Sequence, residues 1–223
     1  MYENLRRAVC EANKSLHEKG LAPFAWGNVS QVDRINGVFA VRPAGIGYSA
    51  LTVENMVVVS LKTGKVVDGH NELTSDAATY FVLYNEFPEL NAVAHVHTPN
   101  ATAFSQVGRD IIPYGITHIA FSKTEIPCVR ALTAAEVNDN YELNTGKAIV
   151  EHFKSHHFSP ETTSAVLTKY HAPYVFGCDA NAAVKNAAIL EMVAETALKT
   201  ETLSNGNAER IDSYLAENYG KSK

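Results

Sequence analysis

The chain has 223 residues, of which 46% are hydrophobic, and its formal net charge is −5. No linker-like segment or repeat divides it, so residues 1–223 are expected to form one domain. Its apolar stretches are too short to cross a bilayer, and its scattered Lys and Arg residues offer no basic patch to a nucleic acid.

The N-terminus and the cysteines bear on where the protein resides. The first residues lead into an amphipathic pattern and lack the apolar segment of a secretory signal. Cys10, Cys128 and Cys178 lie far apart without paired metal spacing, which suits ordinary thiols in a reducing compartment. We therefore expect a cytoplasmic protein without disulfides.

The first half of the chain opens with a helix and continues with strands. Apolar residues recur at helical spacing at Leu5, Val9, Ala12 and Leu16, and the pattern stops at Gly20, where a helix C-terminus is expected. Short β-rich runs then predict strands over residues 28–32, 38–42, 56–61 and 66–67. We expect these strands to form an antiparallel part of a sheet.

The second half mixes helices and strands. The predicted elements are helices over residues 77–87, 99–106, 145–153 and 180–203 and strands over residues 91–97 and 165–169. Thr133 and Glu136 have the spacing of a capping box. Because the strands do not alternate regularly with helices, the order favours an α/β fold, a three-layer α/β/α sandwich with a central mixed, largely antiparallel sheet.

His95-Val96-His97 is the most informative local motif for chemistry. Alternation along a strand sends both imidazoles to one face, where they could share a metal. Imidazole suits zinc, and a catalytic zinc site usually has three protein ligands and an open position. Two hydrogen-bonded structural histidines are the alternative that this motif alone leaves open.

Asp76 and His171 are further candidates whose own sequence context is ambiguous. Asp76 lies at a predicted helix start, where a carboxylate often caps the helix. His171 follows an apolar strand and precedes Pro173, so it could equally be a buried, hydrogen-bonded histidine.

Three short segments have the composition of an oxyanion pocket. They are Trp26-Gly27-Asn28-Val29-Ser30, Arg42-Pro43-Ala44-Gly45 and Thr74-Ser75. Their glycines allow close backbone approach, and their hydroxyl, amide and guanidinium groups are donors to a phosphate. Each segment alone is also an ordinary turn or cap.

Together these and other motifs resemble the class II aldolase and adducin-head family over nearly the whole chain, and within it the L-ribulose-5-phosphate 4-epimerases. The further motifs that carry the resemblance are Met56-Val57-Val58-Val59, Thr117-His118, Ile126-Pro127-Cys128, Tyr141-Glu142-x-x-Thr145-Gly146 and His171-x-Pro173. The resemblance implies a zinc ion held by Asp76, His95, His97 and His171, and a cyclic homotetramer with active sites between subunits.

The resemblance also implies a phosphate pocket and catalytic residues. The pocket would comprise Gly27, Asn28, Arg42, Ala44, Gly45, Thr74 and Ser75. Catalytic roles would fall to Asp76, His97 and Tyr219, the last as candidate for the family's C-terminal tyrosine.

Several positions depart from the epimerase pattern. A lysine is usual where Arg42 stands and a serine where Ala44 stands, so one cation is kept and one hydroxyl is lost. Ala120 stands where the epimerases have an aspartate that acts in proton transfer, Ile116 replaces a nearby polar residue, and Asn218 replaces a histidine. The expected metal ligands and most of the phosphate pocket therefore match the epimerase pattern, whereas the residues expected for proton transfer differ from it.

The expected function is interconversion of L-ribulose 5-phosphate and D-xylulose 5-phosphate by retro-aldol and aldol chemistry. Asp76 agrees with the epimerases, whereas related aldolases resemble one another in carrying a glutamate there. The alternatives are a sugar-phosphate aldolase similar to the L-fuculose-phosphate enzymes, and an adducin-head-like binding protein that has lost catalysis.

Overall fold

A single sheet runs through the middle of the computed structural model, which describes residues 2–219 and gives that sheet eight strands. The strands are β1 (Gly27–Asp33), β2 (Val38–Val41), β3 (Val57–Ser60), β4 (Val66–Asp68), β5 (Ala92–Val96), β6 (Cys128–Val129), β7 (Ala165–Thr168) and β8 (Pro173–Gly177). Their spatial order is β4-β3-β2-β1-β5-β8-β7-β6. All neighbours are antiparallel except β6 and β7, which are parallel.

Helices cover both faces of the sheet. They are α1 (Glu3–Glu18), α2 (Ala77–Glu86), α3 (Pro99–Val107), α4 (Ile116–Phe121), α5 (Ala134–Ser155), α6 (Ala180–Leu203) and α7 (Ser213–Tyr219). One hydrophobic core joins α1, α3 and α6 to the sheet, and a second joins α2 and α5 to its other face. The predicted three-layer α/β/α sandwich with a mixed, largely antiparallel sheet is confirmed. None of the helices in residues 2–219 is long and apolar enough to cross a membrane.

Strand β5 lies at the centre of the sheet and is buried along its whole length. Its alternation sends Ala94 and Val96 into the core under α1 and α6, and Val93 into the core under α2 and α5. His95 has the same parity as Val93, and it is paired with Asn28 on β1 and with Tyr174 on β8. The sheet order thus places a buried imidazole between two strands distant in sequence.

The elements with strong local signals are confirmed. Helix α1 ends just before Gly20, which has φ of 71°, and α6 spans the predicted residues. Thr133 and Glu136 form the predicted capping box at the start of α5. Local patterns do not predict α4, α7, β6 or β8, because these elements are short and owe their conformation to packing.

Helix α5 is longer than the predicted helix over residues 145–153, and it contains a kink. Asn140 has φ of −161° and ψ of 102°, so it interrupts the helix. Its side-chain oxygen accepts a hydrogen bond of 3.0 Å from the backbone N–H of Leu143, as a cap of the second helical segment does. The kink directs Tyr141 and Glu142 toward the cavity described next.

Candidate metal centre and anion pocket

A cavity of about 570 Å³ lies between the ends of β1, β2 and β5, the start of α2, the turn between β7 and β8, and the kink of α5. It brings together every residue that the sequence predicts for the metal and the phosphate. These are Gly27, Asn28, Arg42, Ala44, Gly45, Thr74, Ser75, Asp76, His95, His97 and His171. Segments from five parts of the chain therefore meet in one place.

Three imidazoles form the inner end of this cavity. The Nε2 atoms of His95 and His97 are 3.1 Å apart, and the candidate ligand atoms of His95, His97 and His171 all lie within 4.8 Å of one another. Nδ1 of His95 lies 3.0 Å from the carbonyl oxygen of Pro173. If Nδ1 carries the proton and donates it there, Nε2 is left with a free lone pair, as in histidines that bind metals.

Burial favours the neutral form of all three imidazoles. Burial lowers the pKa of His95 to about 3 and that of His171 to about 4, and burial also lowers the pKa of His97. Nδ1 of His171 is buried and has no hydrogen-bond partner among residues 2–219. Neutral, converging imidazoles and an unsatisfied buried nitrogen are what a divalent metal requires of its ligands. The cluster therefore fits a metal ion.

Asp76 stands beside this cluster and does not act as a helix cap. It occupies the N-cap position of α2, but its side chain makes no capping hydrogen bond. Instead, Nδ2 of Asn28 donates a hydrogen bond of 2.5 Å to Oδ2 of Asp76, and Tyr80 donates one of 2.7 Å to Oδ1 of Asn28. Oδ1 of Asp76 lies 4.0 Å from Nε2 of His95. Burial raises the pKa of Asp76.

The backbone at Gly27 accounts for the close approach of β1 to the histidines. Gly27 has φ of 134°, and a Cβ atom there would lie 2.8 Å from the carbonyl oxygen of His95. Both the conformation and the contact require glycine. The next residue, Asn28, is thereby set against Asp76.

Arg42 stands at the anion end of the cavity and is buried. Its guanidinium donates hydrogen bonds to the carbonyl oxygens of Gly27 at 3.2 Å and Ile46 at 2.8 Å, and it lies over the ring of Tyr48. Its Nε is buried and has no partner in the described part of the chain. Arg42 therefore shapes the pocket and keeps one donor unused.

The other residues of the anion end differ in whether their hydrogen-bond donors are available to a ligand. The backbone N–H of Ala44 donates to the carbonyl oxygen of Glu72 at 2.9 Å and so is already engaged. Gly45 has φ of 72°, which favours glycine in this turn. The hydroxyl groups of Thr74 and Ser75 make no hydrogen bond to another residue within 2–219 and are open to a ligand.

Comparison with known proteins gives this arrangement its family. Residues 7–198 match the model of the Class II Aldolase and Adducin N-terminal domain. The chain belongs to this family. It is 40% identical, over 96% of its length and 92% of the relative, to an L-ribulose-5-phosphate 4-epimerase UlaF of Salmonella typhi, and equally to one of Salmonella paratyphi A.

Solved structures of other proteins share the fold. An L-fuculose 1-phosphate aldolase superimposes with a TM-score of 0.81 at 20% identity, covering 98% of this chain and 95% of the other. YgbL of Klebsiella pneumoniae, described as a putative aldolase/epimerase/decarboxylase, gives a TM-score of 0.75 at 23% identity, with 98% and 99% covered.

Two positions that the family resemblance singles out lie outside the cavity of this class II aldolase chain. Ala120 is exposed on α4, and Tyr219 ends α7, which packs against α4. Neither residue lines the cavity. Within residues 2–219, therefore, Tyr219 does not lie in the cavity that contains His95, His97 and His171.

The cavity is also lined by side chains that the sequence does not place among the metal ligands, the phosphate-binding residues or the catalytic residues. Trp26, Tyr141 and Glu142 line it, and the ring of Tyr141 lies 5.7 Å from that of His171. The motif Tyr141-Glu142 is visible in the sequence, whereas the kink at Asn140 that precedes it is a feature of the fold.

Proposed function

We propose that this member of the class II aldolase family is a zinc-dependent epimerase that interconverts L-ribulose 5-phosphate and D-xylulose 5-phosphate. The observation that carries the proposal is that a cluster of three histidines shares one cavity with Arg42 and the open hydroxyls of Thr74 and Ser75. A metal centre and an anion pocket in a single cavity suit a sugar with one phosphate. The 40% identical relative named as an L-ribulose-5-phosphate 4-epimerase supports this substrate.

His95, His97 and His171 would hold the zinc ion, with Asp76 beside them. Zinc is preferred because neutral imidazole and carboxylate are its usual ligands. When bound there, it supplies a Lewis acid that polarises oxygen atoms of the substrate. Zinc content tests the assignment directly.

Loss of one ligand should weaken zinc binding at least as much as loss of an outer-shell partner, which costs about 10–100-fold in affinity. We expect His97→Ala to retain far less zinc than the parent in elemental analysis. His70→Ala is the matched control, because His70 is exposed and lies outside the cavity. Equal zinc in His97→Ala and the parent would show that the site is misassigned.

The anion end would bind the phosphate through Arg42, Gly45 and the two hydroxyls, with the backbone at Gly27 and Ala44 shaping the wall. A guanidinium and hydroxyl donors suit a phosphate, and they would fix the orientation of the sugar. Asn28 would hold Asp76 in place through the 2.5 Å hydrogen bond. His97 is half-buried and so remains open to the sugar.

The proposal includes a cyclic homotetramer in the cytoplasm. Tyr219 does not line the cavity of its own chain, so a catalytic role for Tyr219 needs a neighbouring chain to bring it there. Free cysteines at Cys10, Cys128 and Cys178 suit a reducing compartment.

Product identification tests the proposal. Zinc-loaded protein would be incubated with L-ribulose 5-phosphate and with other ketopentose and deoxyketohexose phosphates, and the products followed by NMR. We expect D-xylulose 5-phosphate from L-ribulose 5-phosphate, and no conversion after zinc is removed with a chelator. Release of a free aldehyde instead would indicate an aldolase, and no conversion of any sugar phosphate would contradict both enzymatic functions.

A further inference from the structure

The kink in α5 precedes two cavity residues, Tyr141 and Glu142, to which the proposed function gives no role. Because Asn140 leaves the helical conformation and caps the segment that follows, Tyr141 and Glu142 stand in the first turn of a new helical segment. Both residues line the cavity that holds the three histidines. The chain thus places an aromatic residue and an acidic residue in the lining of the candidate site.

This turn is fixed to its surroundings. The hydroxyl of Thr79 on α2 donates a hydrogen bond of 2.7 Å to the backbone oxygen of Glu142. One turn further, a Cβ atom at Gly146 would lie 2.8 Å from Cβ of Val82, so α5 and α2 are in close contact there. Glu142 is therefore held by backbone contacts, and its side chain is not needed to hold the turn.

The carboxylate of Glu142 is free for chemistry, whereas the other carboxylate of the cavity is engaged. Asp76 is buried, accepts a hydrogen bond from Asn28 and lies beside His95. Glu142 is half-buried, and its carboxylate makes no hydrogen bond or ion pair with any residue in 2–219. A carboxylate in this setting can exchange protons with both a ligand and water.

We propose that Glu142 is a catalytic residue that transfers the proton of the C4 hydroxyl, an inference that rests on the proposed epimerase function. When the C3–C4 bond of L-ribulose 5-phosphate breaks, the Glu142 carboxylate accepts the hydroxyl proton and the C4–O bond becomes a carbonyl. The electron pair of the C3–C4 bond stays with the C1–C3 fragment and moves toward its C2 carbonyl. The aldehyde at C4 then rotates and presents its opposite face to C3. As the C3–C4 bond forms again, the protonated carboxyl returns the proton to the C4 oxygen, which gives D-xylulose 5-phosphate.

Glu142 would supply the proton-transferring group that the epimerases have at position 120 and that this chain, with Ala120, lacks there. Ala120 cannot transfer a proton, and it is exposed on α4 away from the cavity of its own chain. Glu142, in contrast, is in the same cavity as the candidate metal ligands.

Glu142→Gln tests the proposal, because the amide keeps the size of the side chain and cannot accept the proton. We expect kcat for L-ribulose 5-phosphate to fall by roughly 10²–10⁴-fold, the usual contribution of a positioned acid-base group. KM and zinc content should stay at the parent's values. In Glu142→Ala, added formate should restore part of the lost kcat, which a purely structural role for Glu142 does not predict.

Glu151→Gln is the matched control. Glu151 lies on the same helix, is exposed, pairs with Arg130 and does not line the cavity, so its variant should keep the parent's kcat. A folded, zinc-loaded Glu142→Gln enzyme with the parent's kcat would overturn the Glu142 assignment and leave the epimerase function standing. A rise in KM or loss of zinc without a fall in kcat would also overturn it. Parent protein that does not convert L-ribulose 5-phosphate would contradict the epimerase function, and the Glu142 proposal with it.

Discussion

At the residue scale, the site depends on which atom each polar side chain uses. His95 meets a backbone carbonyl through Nδ1, so its Nε2 can face His97. Asp76 is at a helix start but turns toward Asn28 and away from the helix backbone. Arg42 donates to the carbonyl oxygens of Ala25, Gly27 and Ile46 and keeps Nε unused. In each case hydrogen bonds to the protein orient the side chain and leave another of its polar atoms available to a ligand.

Arg42→Ala should raise KM for a phosphorylated substrate. A hydrogen bond to a charged group is worth about 1.5–3 kcal/mol, and about 1.4 kcal/mol corresponds to a factor of ten, so the rise should be roughly tenfold or more. Steady-state kinetics on L-ribulose 5-phosphate measures it.

Arg34→Ala is the matched control for this prediction. Arg34 also donates hydrogen bonds to backbone carbonyls, those of Tyr84, Phe87 and Leu90, but it lies outside the cavity. Both variants should lose stability, and only Arg42→Ala should change KM. Equal KM values for Arg42→Ala and the parent would remove Arg42 from the phosphate site.

At the scale of elements, the contact between β8 and α6 holds in place the strand that packs against the histidine cluster. Strand β8 supplies the Pro173 carbonyl oxygen that orients His95. It also supplies Tyr174, whose ring stacks on that of His95 with the ring centroids 4.4 Å apart. At the end of this strand, a Cβ atom at Gly177 would lie 2.3 Å from the backbone nitrogen of Ala183 on α6. Strand and helix can approach this closely only because residue 177 lacks a side chain.

Gly177→Ala should lower the free energy of unfolding by about 1–3 kcal/mol, the usual cost of overpacking, because the clash is with backbone that cannot move aside cheaply. Urea denaturation measures the change. Gly47→Ala is the control, since Gly47 has φ of −67° and no atom within 4 Å of its added Cβ. Equal stability of the two variants would show that α6 can shift away from β8.

At the scale of the whole molecule, the buried imidazoles couple folding to pH. The pKa of His95 is about 3 and that of His171 about 4 in the folded protein, below their ordinary value of 6.5, because burial disfavours the charged ring. Below pH 6.5 the unfolded chain takes up protons that the folded chain does not. The contribution of His95 and His171 to the free energy of unfolding is therefore full above pH 6.5 and is lost as pH falls toward about 3.

We therefore expect the thermal unfolding midpoint of zinc-free protein to fall as pH is lowered from 7 to 4. Asp76 acts in the opposite sense, since burial raises its pKa and the folded chain then binds its proton more readily. Comparison with His171→Asn separates the two effects, because this variant should depend less steeply on pH than the parent. The same slope in both proteins would contradict the low pKa of His171.

Assembly is the second property of the whole molecule. If active sites lie between subunits, a chain with an intact metal cluster could use Tyr219 of a neighbour. We expect light scattering to give a tetramer, and His97→Ala and Tyr219→Phe subunits, each impaired alone, to regain activity when mixed and allowed to exchange. A mixture as inactive as its components would place Tyr219 outside the catalytic machinery or within its own chain's site.

Local sequence pattern by itself determined a large part of this protein. Strand alternation set His95 and His97 on one face, the capping box fixed the start of α5, and helical periodicity defined α6 to its ends. These features depend on residues within a few positions of one another, so the sequence displays them directly.

Only the tertiary structure decided the rest of the candidate site. His171 reaches the His95-x-His97 pair because β8 lies beside β5, an order that no local pattern encodes. Whether Asp76 caps α2 or turns to Asn28 depends on a strand that is 48 positions away in sequence. The place of Glu142 depends on a kink that packing against α2 holds. The physical reason is the same in all three: a polar side chain has several partners of similar strength within reach, and the fold selects the one that is present.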